Sequence, residues 1–191
     1  VPGVPVIYDG NNLAAAGVIR ARAQELGSPY FEVKREDTKI IRNTRAGIDF
    51  SYENEYYGNT VFTLPFIAEY QVMNSSLALK TIEVLKDQVK IPVEAVRKGL
   101  LETRWQGRME TVLPGVIVDW AHNEDGIEKF VETAVHFQKD YPLTLLFSAV
   151  DDKDYTDMIR TILGKISFHH VIVTQVGGLS LIHISEPTRR S

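Results

Sequence analysis

The sequence predicts an α/β protein whose C-terminal part is a doubly wound sheet, and three observations predict it. Residues 116–118 (VIV) are consecutive β-branched residues, the composition of a strand buried on both faces. Residues 143–150 and 170–175 are two further apolar runs, the first bounded by Pro142 and Asp151. Helical periodicity fills the gaps: Ile127, Phe130, Val131 and Ala134 recur at i, i+3, i+4 and i+7, and Tyr155, Met158, Ile159, Ile162 and Leu163 repeat the pattern. Strand, helix, strand, helix, strand is the order of a parallel sheet covered on both faces.

The elements before it follow in order. Residues 4–8 read as a short strand, and the turn at 9–12 ends on two asparagines, either of which can cap a helix. Ala15, Ile19, Ala23 and Leu26 stand at helical spacing, and Gly27 with Pro29 stops that helix. Residues 30–33 are strand-like. Residues 39–66 change texture: β-branched and aromatic residues broken by Gly47 and by Gly58-Asn59 predict two or three strands in hairpins. Asn74-Ser75-Ser76 reads as the start of a long helix with Ala78, Ile82 and Leu85 on one face, and Pro92 opens a second helix over 93–101. Residues 105–107 read as a hinge, so the boundaries expected are 1–104 and 105–178.

Composition excludes several classes. The chain has 191 residues, 21 basic against 25 acidic, for a net charge of −4, which argues against a non-specific nucleic-acid binder. The aromatics of 50–66 are not interleaved with basic residues, so a base-stacking platform is not expected either. There are no cysteines, which removes disulfides, thiolate metal sites and a cysteine nucleophile and fits a reducing cytoplasm. No apolar run reaches bilayer length. The opening VPGVPVIYDG has no initiator Met and no cleavage signal, so a fragment of something longer is expected. Residues 179–189, LSLIHISEPTR, resemble the in-frame translation of a sequencing-library transposase adapter, and 179–191 is expected to be a non-native tail.

The densest chemistry lies in 107–126, GRMETVLPGVIVDWAHNEDG. Asp119, His122 and Asn123 follow the apolar run, where the carboxyl end of a parallel strand opens into a ligand crevice. Asp125 and Glu128 are spaced as a variant capping box, and a helix start there favours anions.

Three segments, YQVMNSSLALKTIEVL, WQGRMETVLPGVIVDWAHNEDG and SAVDDKDYTDMI, together with PGVPVIYDGNNLAAAGVIRARAQELGSP, resemble the folylpolyglutamate synthase/dihydrofolate synthase family of the Mur ligase superfamily. The resemblance covers residues 1–178. It implies that 1–104 is the C-terminal part of an α/β central ATPase domain and that 105–178 is part of a Rossmann-like C-terminal ligase domain. The activity implied is ATP-dependent addition of L-glutamate to a folate or dihydropteroate carboxylate through an acyl phosphate. The protein is then a cytoplasmic monomer that uses ATP and Mg²⁺, without nucleic-acid or membrane partners. The phosphate loop, Mg²⁺ ligands and carbamylated Lys of the family are expected ahead of Val1, so no metal ligand is assigned here. The chain alone is then expected to be inactive.

By position, the resemblance puts Asn74 at the adenine base, Arg108 at the ATP phosphates and Asp119 at the nucleotide. His122 falls at the glutamate or phosphate, as catalytic and substrate-binding residue, with Asn123 and Lys153 beside the substrate. Each has a plainer reading: a helix cap for Asn74, a surface ion pair for Arg108 and a turn-fixing histidine for His122. For Lys153 it is a solvated lysine between two capping aspartates, and this is the favoured one. Trp120 stands where the family commonly has Gly, which leaves the local shape of the site open. The competing functions are a cell-wall Mur ligase acting on a UDP-linked acceptor and a non-catalytic Rossmann-like nucleotide-binding module.

Overall fold

The computed structural model describes residues 1–149, 155–175 and 183–185. The chain divides into two compact units, Val1–Trp105 and Gln106–Ser191.

The first unit opens with strand β1 (Val6–Asp9), helix α1 (Leu13–Glu25) and strand β2 (Tyr30–Val33). β1 and β2 pair in parallel, with Val6 opposite Tyr30, so this is a strand-helix-strand crossover. Asn12 caps α1: its side chain accepts from the Ala15 N–H at 3.1 Å. An antiparallel meander follows, β3 (Thr38–Thr44), β4 (Gly47–Tyr52) and β5 (Val61–Leu64). Alternation along β4 sends Ile48, Phe50 and Tyr52 into the core, and Phe62 and Leu64 of β5 join them. Phe50 and Phe62 are directly paired across the strands, with ring centroids 5.9 Å apart. Helices α2 (Tyr70–Val84) and α3 (Val93–Glu102) close this core with Val72, Leu79 and Val96. Burial pushes the Tyr52 hydroxyl up to about 12, helped by the negative charges of Glu83 and Asp37.

One boundary differs from expectation. α2 begins at Tyr70, so Asn74, Ser75 and Ser76 lie inside the helix and do not cap it. The buried Ser76 is satisfied there because its hydroxyl donates back to the Val72 carbonyl at 2.9 Å.

The second unit opens with a hairpin, β6 (Glu110–Leu113) and β7 (Val116–Val118). Leu113 faces Val116 across Pro114-Gly115, and Gly115 has φ +79°. Pro followed by a left-handed Gly is the chemistry of a type II turn. Helix α4 (Glu124–Ala134), a single 3₁₀ turn at Phe137–Lys139, β8 (Thr144–Ala149), α5 (Tyr155–Lys165) and β9 (His170–Gln175) follow. β8 and β9 pair in parallel across α5, the crossover the periodicity predicts. Ile127 and Val131 of α4 are buried, as are Met158 and Ile162 of α5 and Leu145 and Phe147 of β8. β10 (His183–Ser185) adds antiparallel to β9, within the segment expected to be non-native.

The α/β class therefore holds. The role expected of 116–118 does not: these residues form an antiparallel hairpin strand, with Val116 45% and Ile117 37% exposed. Among the described residues β7 pairs with β6, not with β8.

Candidate functional site

The polar cluster is built on two tight turns. Entering β6, Gly107 (φ +65°) and Met109 (φ +49°) both take left-handed backbone, and Met109 does so while buried. The Gly107 N–H donates to Glu110 Oε2 at 2.8 Å, and the Gly107 carbonyl accepts from the Trp120 N–H at 2.8 Å. The Trp120 indole covers Gly107 so closely that a Cβ there would lie 2.3 Å from the ring. Only glycine combines this conformation with this approach.

Asp119, just after β7, ties the two turns together. Its Oδ2 accepts from the Met109 N–H at 2.9 Å and its Oδ1 from the Ala121 N–H at 2.8 Å. Burial is the dominant influence and raises its pKa above the ordinary carboxylate value. The two amides and the Arg108 charge pull in the opposite direction.

The next residues are also engaged locally. His122 Nδ1 lies 3.0 Å from the Trp120 carbonyl. A carbonyl only accepts, so Nδ1 carries the proton and Nε2 of the neutral ring is left as an acceptor. Asn123 is the N-cap of α4: its Oδ1 accepts from the Gly126 N–H at 2.9 Å. The cap expected at Asp125 is therefore two residues late, because Asn123 holds extended backbone and Glu124 is already helical. Glu124 and Asp125 place two carboxylates in the first turn, which satisfies the helix dipole and opposes an anion seated there.

Arg108 is half-buried and, among the described residues, makes no hydrogen bond or ion pair, while its positive charge is felt at Asp119. Asn74 belongs to the other unit. It is exposed in the middle of α2, where its Nδ2 donates to Gln71 Oε1 at 2.9 Å. Lys153, with Asp152 and Asp154, lies outside the described residues. Sequence reasoning missed Met109 and Glu110 as parts of the turn. The signal for them was Gly107 three residues ahead of Glu110, a carboxylate within reach of a glycine N–H.

Among the described residues no group of three or more His, Cys, Asp or Glu side chains is placed to hold a metal ion. A surface concavity of about 520 Å³ lies elsewhere in this unit, at the amino ends of β8 and β9, lined by Gln138, Tyr141, Ser167 and His169 among others.

No family model matches the chain. It is 32% identical over 165 residues to the dihydrofolate synthase/folylpolyglutamate synthase of Bacillus subtilis, covering 83% of this chain and 38% of that protein. Its fold superposes on the crystal structure of the folylpolyglutamate synthase of Thermotoga maritima with a TM-score of 0.74 and 28% identity, covering 92% of this chain and 41% of that one. A more distant relative is the UDP-N-acetylmuramoyl-L-alanyl-D-glutamate–2,6-diaminopimelate ligase of Caldanaerobacter subterraneus, 26% identical over 133 residues, 68% of this chain and 26% of that protein. The chain thus spans about two fifths of the length of its synthase relatives.

Proposed function

We propose, from the premise that this chain belongs to the folylpolyglutamate synthase/dihydrofolate synthase family, that it is part of an ATP-dependent amide-forming ligase. The reaction is addition of L-glutamate to a folate or dihydropteroate carboxylate. The observation that carries the reading is the likeness across most of the chain, with the Arg108 charge felt at the Asp119 turn.

The chemistry makes physical sense. A carboxylate is a poor acyl donor; transfer of the ATP γ-phosphoryl group gives an acyl phosphate, the glutamate amine attacks its carbonyl, and phosphate leaves. Such a reaction needs cations where phosphoryl charge develops and a fixed line of attack for the amine. The planar fork of Arg108 suits phosphate oxygens. Asp119 has a second lone pair on each oxygen and can still accept from a ribose hydroxyl. With Nδ1 on the Trp120 carbonyl, His122 presents Nε2 to a ligand, as an acceptor in the neutral ring. Asn123 offers its Nδ2, and Asn74 is assigned to the adenine edge, where an amide supplies both donor and acceptor. Lys153 is assigned to a substrate carboxylate. Mg²⁺ would neutralise phosphate charge; no described residues fit it, and no step is assigned to it.

A cell-wall ligase reading has the weaker likeness, and a substrate panel separates the two: glutamate ligation to dihydropteroate or folate supports the synthase, ligation to a UDP-linked acceptor the alternative. The cytoplasm is the proposed compartment, and no described helix is long and apolar enough to cross a membrane.

The test is nucleotide affinity by calorimetry in the complete synthase. Arg108→Ala is expected to weaken ADP binding roughly 10- to 100-fold, the value of a charge-assisted hydrogen bond. Unchanged affinity overturns the role of Arg108. The 191-residue chain alone contains no G-x-x-x-x-G-K-[ST] and is expected to release no ADP in response to glutamate.

A further inference from the structure

We infer that Asp119 is a positioning residue: its carboxylate, held between the Met109 and Ala121 amides, locks the turn that presents Arg108 to the turn that presents His122. The inference deepens the proposed ATP-site reading and rests on it for the role of Arg108.

Four observations converge. The two acceptor bonds run in opposite directions along the chain, one back across ten residues and one forward across two. The backward bond ends on Met109, a buried non-glycine residue in left-handed backbone. Such a conformation persists only where its surroundings over-determine it, and it immediately follows Arg108. A third bond, Trp120 N–H to the Gly107 carbonyl, and the indole stacked on Gly107 bind the same two turns on either side of Asp119. The carboxylate is therefore the central tie of a small clasp, with Arg108 at one end and His122, fixed through Nδ1, at the other. Burial raises the Asp119 pKa, so the clasp also carries a titratable signature.

Two measurements by amide NMR test this. In the unmodified chain, the Met109 and Ala121 amide protons are expected to titrate together, with one midpoint above the ordinary aspartate value of about 3.9. Separate midpoints, or no response, overturn the clasp without relying on any variant. In Asp119→Asn one acceptor becomes a donor, so one of the two amides loses its partner. Its exchange is expected to rise roughly tenfold or more. The Arg108 backbone and Nε signals should lose order while those of α4 and α5 stay in place. An Arg108 as ordered as before overturns the positioning role. ADP is then added to the complete synthase and to its Asp119→Asn form. Ordered turns that ADP does not perturb would leave the clasp standing and sink the nucleotide reading. ADP perturbing Arg108 equally in both proteins would do the reverse.

Discussion

Replacing Gly107 with Ala tests the turn on which the whole cluster rests. Its backbone sits at φ +65°, and placing an L-residue in that region costs about 1–2 kcal/mol. The added Cβ would lie 2.3, 2.5 and 2.6 Å from three atoms of the Trp120 ring. Ordinary carbon contacts are about 3.5–4.0 Å, so the ring must retreat by roughly an ångström. Trp120 is 62% exposed and has room to rotate outward, which puts the steric cost at the lower end of the overpacking range, about 1 kcal/mol. The expected total is about 2–3 kcal/mol, a large share of a stability of roughly 5–15 kcal/mol. A double-mutant cycle separates the two causes. In a Trp120→Ala background the clash is gone and only the backbone cost remains, so Gly107→Ala should cost about 1–2 kcal/mol there. Urea unfolding followed by far-ultraviolet circular dichroism reads both, since the signal does not depend on the deleted indole. A cost below about 0.5 kcal/mol refutes the left-handed turn. Additivity within about 0.5 kcal/mol refutes the packing of Trp120 on Gly107.

Three further outcomes are expected. Asn123→Ala should destabilise the second unit by about 1 kcal/mol in thermal unfolding, while Asn123→Asp should retain most of that, because a carboxylate accepts the same Gly126 N–H. Asn74→Ala should change stability by less than about 0.5 kcal/mol, as the side chain is exposed and among the described residues bonds only Gln71, so a loss of nucleotide affinity in this variant reports on the ligand. The pH dependence of Asp119 has a definite sign: its folded pKa lies above its unfolded one, so its contribution is fully present below about pH 3.9 and is lost as pH rises through the folded pKa. The stability difference between the natural protein and Asp119→Asn should move in favour of the variant over that rise; a constant difference from acid to neutral pH would contradict the burial of the carboxylate.

How much of this was legible depended on whether a local signal had a tertiary competitor. β2 and β9 were readable to the residue because apolar β-formers were bounded by turn residues and nothing competed. The start of α2 was not. Asn74-Ser75-Ser76 carries strong capping chemistry, yet Ser76 satisfies its hydroxyl inside the helix and Gln71 takes up Asn74. Two of the three polar residues, Asn74 and Ser76, sit mid-helix with a local partner. The run 116–118 was misjudged for the opposite reason. Its β-branched composition suits a buried strand, but Pro114-Gly115 just ahead is itself a hairpin signal, and the turn decided the pairing. At the candidate site, the gathering of Asp119, His122 and Asn123 within five residues was plain in the sequence. What each polar atom bonds to was not, because those bonds depend on left-handed backbone at Gly107 and Met109, and only the glycine signals it in advance.

Those internal bonds decide what kind of ligand the cluster can still serve. Asp119 spends one lone pair of each oxygen on a backbone amide, Asn123 spends its carbonyl on Gly126, and His122 spends Nδ1 on Trp120. Among the described residues the groups left over are chiefly donors: the Arg108 guanidinium and the Asn123 amide nitrogen, with His122 Nε2 as an acceptor when the ring is neutral and a donor when it is charged. A donor-rich remainder matches a ligand rich in acceptors, a phosphate or a carboxylate, whereas Glu124 and Asp125 occupy the amino end of α4 that would otherwise attract one. Under the proposed nucleotide reading, anion recognition falls to the turn before β6 and not to the helix after β7, and Arg108→Ala is the variant expected to lose ADP affinity first.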